Sequence, residues 1–145
     1  MITCRFENGN EARLRHVVVD ILIVQGDKIL LIKRAKDLTD GGKWALPGGF
    51  MDRDETLTQT AEREAFEETG YRVKNLKLFK VSDDPNRPGD DRQTIPFFYS
   101  AEPGEQEGGF DHEVSEIKWF ALGDLPPQEQ IAFDHYKFIS DYSRT

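Results

Sequence analysis

Cysteine occurs once in the 145 residues, at Cys4, so no internal disulfide can staple the chain. That suits a reducing compartment, and a cytoplasmic location is expected. Cys4 has no second thiol to share a metal with, and a packing or surface thiol is its plainer reading. No apolar run reaches the length of a bilayer span, and Met1-Ile2-Thr3-Cys4-Arg5 has no signal-peptide core. No membrane association is expected. Basic residues are in the minority, 19 Lys and Arg against 27 Asp and Glu, for a formal net charge of −8. That balance argues against holding a long nucleic acid by its backbone, which takes a basic surface. It leaves open small phosphorylated ligands held through a cation. Repeats and low-complexity segments are absent too. At 37% hydrophobic residues the chain can build a normal core, and its length fits one domain over 1–145.

Carboxylate is what the chain has in excess, and over residues 49–71 it is patterned. Asp52, Asp54 and Glu55 precede Thr56. Thr56 and Gln59 have the spacing of a capping box, which starts a helix. Leu57, Ala61 and Ala65 recur every four residues and make a narrow apolar stripe suited to close packing on a sheet. Gly70 fits the left-handed position just past a helix end, so the helix is predicted over 56–69. On it, Glu64 lies four residues from Glu68 and three from Glu67. Like charges at these spacings destabilise a helix by roughly 0.2–0.5 kcal/mol per pair. Glu67 and Glu68 also sit where the helix dipole disfavours anions. One reading is a solvated acidic face, with Arg63 paired to Glu67. The other is half of a divalent-cation site, in which the cation removes the repulsion. Trp44-Ala45-Leu46-Pro47-Gly48-Gly49, immediately ahead, favours the second. Its glycines let backbone come close to a ligand.

Around this segment, residues 16–25 are mostly Val, Ile and Leu and read as a buried strand. Residues 28–34 are its hairpin partner across Gly26-Asp27. A polar loop covers 35–43, and 44–46 form a short strand. Residues 71–81 and 93–101 read as strands, with Ile95, Phe97 and Tyr99 sharing a face of the second. Pro96 within it suggests an edge position or a bulge. Residues 114–121 are the last strand. A terminal helix is predicted over 128–141, docking through Ile131, Tyr136, Phe138 and Ile139. The segments 83–92 and 102–112 are loops. Periodicity alone gives an α/β or α+β chain with a mixed sheet.

Residues 49–71 resemble the box of the Nudix hydrolase family, G-x5-E-x7-R-E-U-x-E-E-x-G-U, where U is a bulky apolar or aromatic residue. Gly49, Glu55, Arg63, Glu64, Glu67, Glu68, Gly70 and Tyr71 fill it, and Ala65 is a small residue at the first U. With residue frequencies near 7%, seven fixed matches arise by chance roughly once in a hundred million starting points. The Trp-x-Leu-Pro-Gly lead-in is also family-like, and the strand order extends the resemblance over nearly the whole chain. The resemblance implies an α/β/α sandwich with a mixed β-sheet. It also implies Mg²⁺- or Mn²⁺-dependent hydrolysis of a nucleoside diphosphate linked to another moiety. By residue matching, Glu64 and Glu68 are the best metal ligands, Glu67 shares metals or holds water, and the Gly48 carbonyl is a further ligand. Glu55 binds metal through water or braces the loop. Arg63 orients glutamates through charge-assisted hydrogen bonds. A later acid is expected among Asp111, Glu113 and Glu116, with Glu113 favoured. The general base stays open among Glu64, Glu67 and Glu113. A hard-cation site has no need of His16, His112 or His135.

Substrate is written less clearly. Asp83-Asp84-Pro85-Asn86-Arg87 resembles the post-box loop of ADP-ribose pyrophosphatases, so Asn86, Arg87 and Arg92 are candidates to hold phosphate or ribose. A plain surface turn of turn-forming residues is the other reading. Lys33, Arg34 and Lys43 are further cations near the site, and Trp44 or Phe50 could stack a base. ADP-ribose or a related nucleotide sugar is the leading substrate. The alternatives are a (d)NTP pyrophosphatase that sanitises oxidised nucleotides and a non-catalytic nucleotide-sensing domain. The oligomeric state stays open, a homodimer included.

Overall fold

A hairpin opens the chain. Strands β1 (Ile2–Arg5) and β2 (Glu11–Leu14) pair antiparallel around Gly9 at φ +86°, forming a small sheet of their own in the computed structural model, which describes residues 2–145. The sequence over 1–15 carries too little apolar alternation to announce it.

The apolar runs form the main sheet. Strand β3 (Val17–Gln25) turns through Gly26 at φ +62° into β4 (Lys28–Arg34). Then come β5 (Trp44–Ala45), β6 (Gly48–Phe50), helix α1 (Leu57–Thr69), β7 (Tyr71–Val81), β8 (Ile95–Gln106), β9 (Val114–Ala121) and helix α2 (His135–Ser143). The sheet order is β5-β4-β3-β8-β7, with β6 pairing β3 and β9 pairing β4. Among the described strands of this sheet β3 and β8 run parallel, and the other strand pairs are antiparallel.

The alternation of β3 divides the core into two layers. Val19, Ile21 and Ile23 pack with Tyr99 and Ala101 of β8 against Ala61 and Ala65 of α1. Leu22 faces the other way, with Phe98, Phe138 and Ile139. A strand covered on both faces reads as a continuous apolar run, as β3 does. Each fully buried large side chain contributes roughly 1.5–3 kcal/mol. The result is the α/β/α sandwich with a mixed sheet. No helix among the described residues is long and apolar enough to cross a membrane.

Three expectations need correction. Pro96 lies on neither an edge nor a bulge of its ladder to β3. It is the second residue of β8, between β3 and β7, opposite Val18. Its missing N–H is tolerated because the β7 register begins only at Phe97, and its carbonyl accepts from Ser82. The loop expected from 102 is still strand as far as Gln106. The terminal helix is split: a 3-10 turn covers Gln128–Gln130, and α2 starts only at His135. Between them Ile131 bridges to Trp44, Ala132 donates to the Trp44 carbonyl, and Phe133 donates to Asp40 at φ +54°. These tertiary partners take the backbone groups that a continuous helix would use.

Candidate active site

The site is built where β6, α1 and the loop before β9 meet. The capping box forms as its spacing predicts: Thr56 accepts from the Gln59 amide, and Gln59 accepts from that of Thr56. Gly70 ends the helix at φ +76°. Between these caps, α1 turns Ala61 and Ala65 to the sheet and aims Glu64 and Glu68 at β6.

The two glycines of β6 are there for close approach. A Cβ on Gly48 would stand 2.2 Å from the Val19 carbonyl oxygen, and one on Gly49 would stand 2.4 Å from Glu64 Oε1. The obstacle at Gly49 is the end of a flexible side chain. Gly49→Ala is therefore expected to keep its melting temperature yet lose about a hundredfold in kcat, because Glu64 is pushed aside. Gly48→Ala meets backbone and loses stability instead. Thermal melts and steady-state kinetics on both variants check this. A fully active Gly49→Ala protein would remove the Glu64 approach from the account.

Glu68 is 3% exposed, and its Oε2 accepts from the Gly48 amide at 2.9 Å. Burial drives its carboxyl well above the usual range. Glu64, Asp111 and Glu113 add to that through their charges, while the Gly48 N–H opposes it. Glu64 is pushed up to about 7, first by burial and then by the Glu67 and Glu113 charges, although Arg63 pulls the other way. Two buried carboxylates with such neighbours are costly as anions unless a cation joins them.

Arg63 organises the surroundings. Its Nε and Nη2 fork onto the two Glu55 oxygens at 2.6 and 3.0 Å, and Nη2 also donates to the Phe50 carbonyl. Its Nη1 reaches Glu64 at 2.7 Å and Glu67 at 3.2 Å. Those Arg63 bonds, the Asp52 amide and the Thr60 hydroxyl hold Glu55 down to about 2. Glu55 thus braces the 51–55 loop and fixes Arg63, matching the bracing role among its expected alternatives.

Of the acids expected later in the chain, Asp111 and Glu113 lie in the loop before β9 and Glu116 on β9 itself. Asp111 donates its amide to the Glu67 carbonyl, and Glu113 is exposed, its amide held by Asp111 Oδ1 and its carbonyl by Ala35 N–H. Glu116 sits on β9 opposite Lys33 at 4.0 Å. The donors gathered here are all oxygen, the hard chemistry that suits Mg²⁺ or Mn²⁺. Among the described residues no three His, Cys, Asp or Glu side chains are grouped so that they could hold a metal ion by themselves. That is compatible with Mg²⁺, which keeps several waters and binds through one or two carboxylates and substrate phosphates.

The expected substrate residues scatter. Arg92 is exposed and lies 5.3 Å from the Phe50 ring, beside the site. Arg34 donates to the Thr39 carbonyl and lies 5.0 Å from the Phe133 ring, next to the loop that carries Glu113. Asn86 is exposed on its turn. Trp44 is half-buried, edge-on to Phe120 at 4.9 Å with Lys33 over its ring. His16 stacks on Phe50 and contacts the Met51 carbonyl, bracing the loop after β6.

Arg87 is the clear exception among the expected residues. It is 6% exposed and bonds Asp134 at 2.8 Å, Asp20 at 3.1 Å and Thr94 at 3.2 Å. Its guanidinium is spent on protein carboxylates, and it has no face left for phosphate or ribose. The residues that the sequence reading passes over are its partners. Asp20 is the one that leaves a signal, an ionisable side chain in the middle of an apolar strand.

The NUDIX domain profile matches residues 14–142. The chain is 41% identical over 129 residues to the ADP-ribose pyrophosphatase of Methanocaldococcus jannaschii, covering 88% of this chain and 73% of that one. The NUDIX domain of Shewanella oneidensis NrtR, solved with ADP ribose, superposes with a TM-score of 0.76 at 28% identity, covering 92% of this chain and 89% of that one. A bifunctional NMN adenylyltransferase/ADP ribose pyrophosphatase of Francisella tularensis, solved with AMP and a Mn ion, gives a TM-score of 0.73 at 29% identity. There the match covers 92% of this chain but 42% of the longer protein.

Proposed function

This chain belongs to the Nudix family as a Nudix pyrophosphohydrolase, and from that premise we propose that it hydrolyses the diphosphate of an adenosine diphosphate linked to a second sugar, ADP-ribose first, with Mg²⁺ or Mn²⁺. The observation that carries the reading is the pair of buried, mutually repelling carboxylates, Glu64 and Glu68, against the Gly48-Gly49 turn. Glu64, Glu68 and Glu67, with the Gly48 carbonyl, would hold the cation. When bound, it would neutralise phosphate oxygen charge and lower the pKa of a coordinated water. Arg63 keeps Glu64 and Glu67 aligned. One of Glu64, Glu67 and Glu113 takes the proton from the attacking water. The water oxygen bonds to one phosphorus as the bridging P–O bond breaks, and two phosphate monoesters leave.

The three relatives whose names or ligands include ADP-ribose support the substrate, as do Arg92 beside Phe50 and Arg34 beside the loop of Glu113. Trp44 and Asn86 are weaker candidates, and Arg87 is withdrawn as a contact. The net charge supports a small nucleotide rather than a long nucleic acid, and the single cysteine supports the cytoplasm. A panel of ADP-ribose, NADH, dinucleoside polyphosphates and 8-oxo-dGTP with Mg²⁺ tests the assignment. ADP-ribose should lead in kcat/KM by about tenfold or more, about 1.4 kcal/mol of transition-state discrimination. A lead by 8-oxo-dGTP would move the protein to the nucleotide-sanitising class, and equal slow turnover of all would sink any specific assignment.

Metal affinity should also depend on pH. The cation needs ionised carboxylates, and Glu64 ionises only around 7. The Mg²⁺ half-saturation should therefore rise about tenfold between pH 8 and pH 6, as the proton competes for the site. Calorimetric titration at both pH values reads this directly, and a flat profile would contradict it.

A further inference from the structure

The buried polar cluster around Arg87 takes no direct part in this chemistry, yet it reaches the turn that grips Glu68. His135, at the start of α2, is 1% exposed. Its Nδ1 accepts the Leu46 amide at 3.0 Å. A ring nitrogen that accepts carries no proton, so the ring proton is on Nε2. That edge faces Asp20 Oδ2 at 3.4 Å and lies 3.1 Å from Arg87 Nη2. Arg87 in turn bonds Asp20 and Asp134, with Asp90 at 3.8 Å, and Thr94 bonds Asp90. Asp20 is the ladder partner of Gly48. Residues 46–48 are thus held from several directions. His135 takes the Leu46 amide, Ile21 donates to the Pro47 carbonyl at 2.9 Å, and β3 pairs with Gly48. The Gly48 amide faces away from β3 and bonds Glu68.

We propose that His135, fixed by Asp20, which Arg87 holds in turn, is a positioning residue for the divalent-cation site, setting the Leu46-Pro47-Gly48 turn that grips Glu68. The proposal rests on the metal reading above. The mechanism is geometric: the first residue of α2 holds the Leu46 amide, two residues before the amide that Gly48 gives to Glu68. The loop 83–94 is tied to the same point through Arg87, so the rim of the site and its metal-gripping turn share one anchor.

Two substitutions of similar size and polarity separate the edges of the ring. His135→Asn keeps an acceptor near the Nδ1 position and should bind Mn²⁺ as wild type does. His135→Gln keeps a polar group towards Asp20 but loses the acceptor for Leu46, and should weaken Mn²⁺ binding about tenfold or more, the scale of outer-sphere losses. Free Mn²⁺, followed by electron paramagnetic resonance, is the readout, and it needs no substrate. Ile139→Val, in the same helix but in the apolar layer, controls for general loosening and should leave Mn²⁺ affinity alone. Equal affinity in the Asn and Gln variants, or a larger loss in Asn, would overturn the proposal. Wild-type protein alone gives a second test should a variant fail to fold. Adding Mg²⁺ should shift the His135 ring nitrogen resonances, and resonances that stay in place would overturn the proposal. Mn²⁺ binding in the expected pattern without turnover of any nucleotide would sink the hydrolase reading and support this one. Failure of wild-type protein to bind Mn²⁺ would sink both.

Discussion

Glu68→Gln is expected to lower kcat about a thousandfold and at the same time to raise the melting temperature of the metal-free protein at pH 8. The first effect follows from losing one ligand charge where phosphate charge must be neutralised, a term of several kcal/mol at about 1.4 kcal/mol per tenfold in rate. The second follows from burial. Glu68 is enclosed, surrounded by the charges of Glu64, Asp111 and Glu113, and compensated only by the Gly48 amide. A carboxyl whose folded value lies above its unfolded value stabilises the fold fully below the unfolded value. That contribution is lost as pH rises through the folded value. At pH 8 burying this carboxyl, which is ionised in the unfolded chain, is a net cost, and Gln removes it while an amide oxygen still accepts from Gly48. At pH 5 the gain should shrink, because the proton already does the same work. Melts in chelator at both pH values, with kinetics at saturating Mg²⁺, read the two effects separately. An active Glu68→Gln protein with unchanged Mg²⁺ dependence would end the metal-site account. One that melts lower at pH 8 would end the burial account.

Arg87→Met should destabilise the fold by about 3–5 kcal/mol, the usual cost of removing one partner from a buried ion network. Asp20, Asp90 and Asp134 would be left facing one another with His135 between them. Burial by itself would raise the Asp20 carboxyl, and His135 and Arg87 together hold it below its usual value. Removing Arg87 reverses that balance. For a chain of this size the loss corresponds to a fall of roughly 10 °C or more in the melting temperature. Differential scanning calorimetry measures it. A variant as stable as wild type, with only a raised KM for nucleotide, would restore Arg87 to the substrate contacts.

The contrast between these two residues marks what could be read without the fold. Glu68 was legible because its evidence is local. Helical spacing puts it on one face with Glu64, and the capping box and Gly70 bound the helix within residues 56–70. Every one of those signals acts between residues a few positions apart, where backbone geometry alone fixes the distances. The apolar strands β3, β4 and β9 were legible for a similar reason, since alternation and composition are properties of a single segment. The loop ahead of β9 was legible too, because β9 and its aromatic residues locate it in the chain.

Arg87 was not legible. Pro85-Asn86-Arg87-Pro88 looks the same whether its arginine points outward to a phosphate or inward to Asp20, and the partners that decide it lie 67 and 47 residues away in sequence. The split of the terminal helix has the same origin. Its apolar spacing allows a helix through 128–141, but Trp44, Asp40 and Leu46 claim the backbone and side chains of 131–135. The sequence by itself determined the acidic helix, the sandwich strands and the reaction class, because those are set by short-range spacing and by composition. Only the tertiary structure decided which charged residues are buried together and how the Gly48 turn is anchored. Those contacts depend on segments brought together by the sheet, and no local pattern records them.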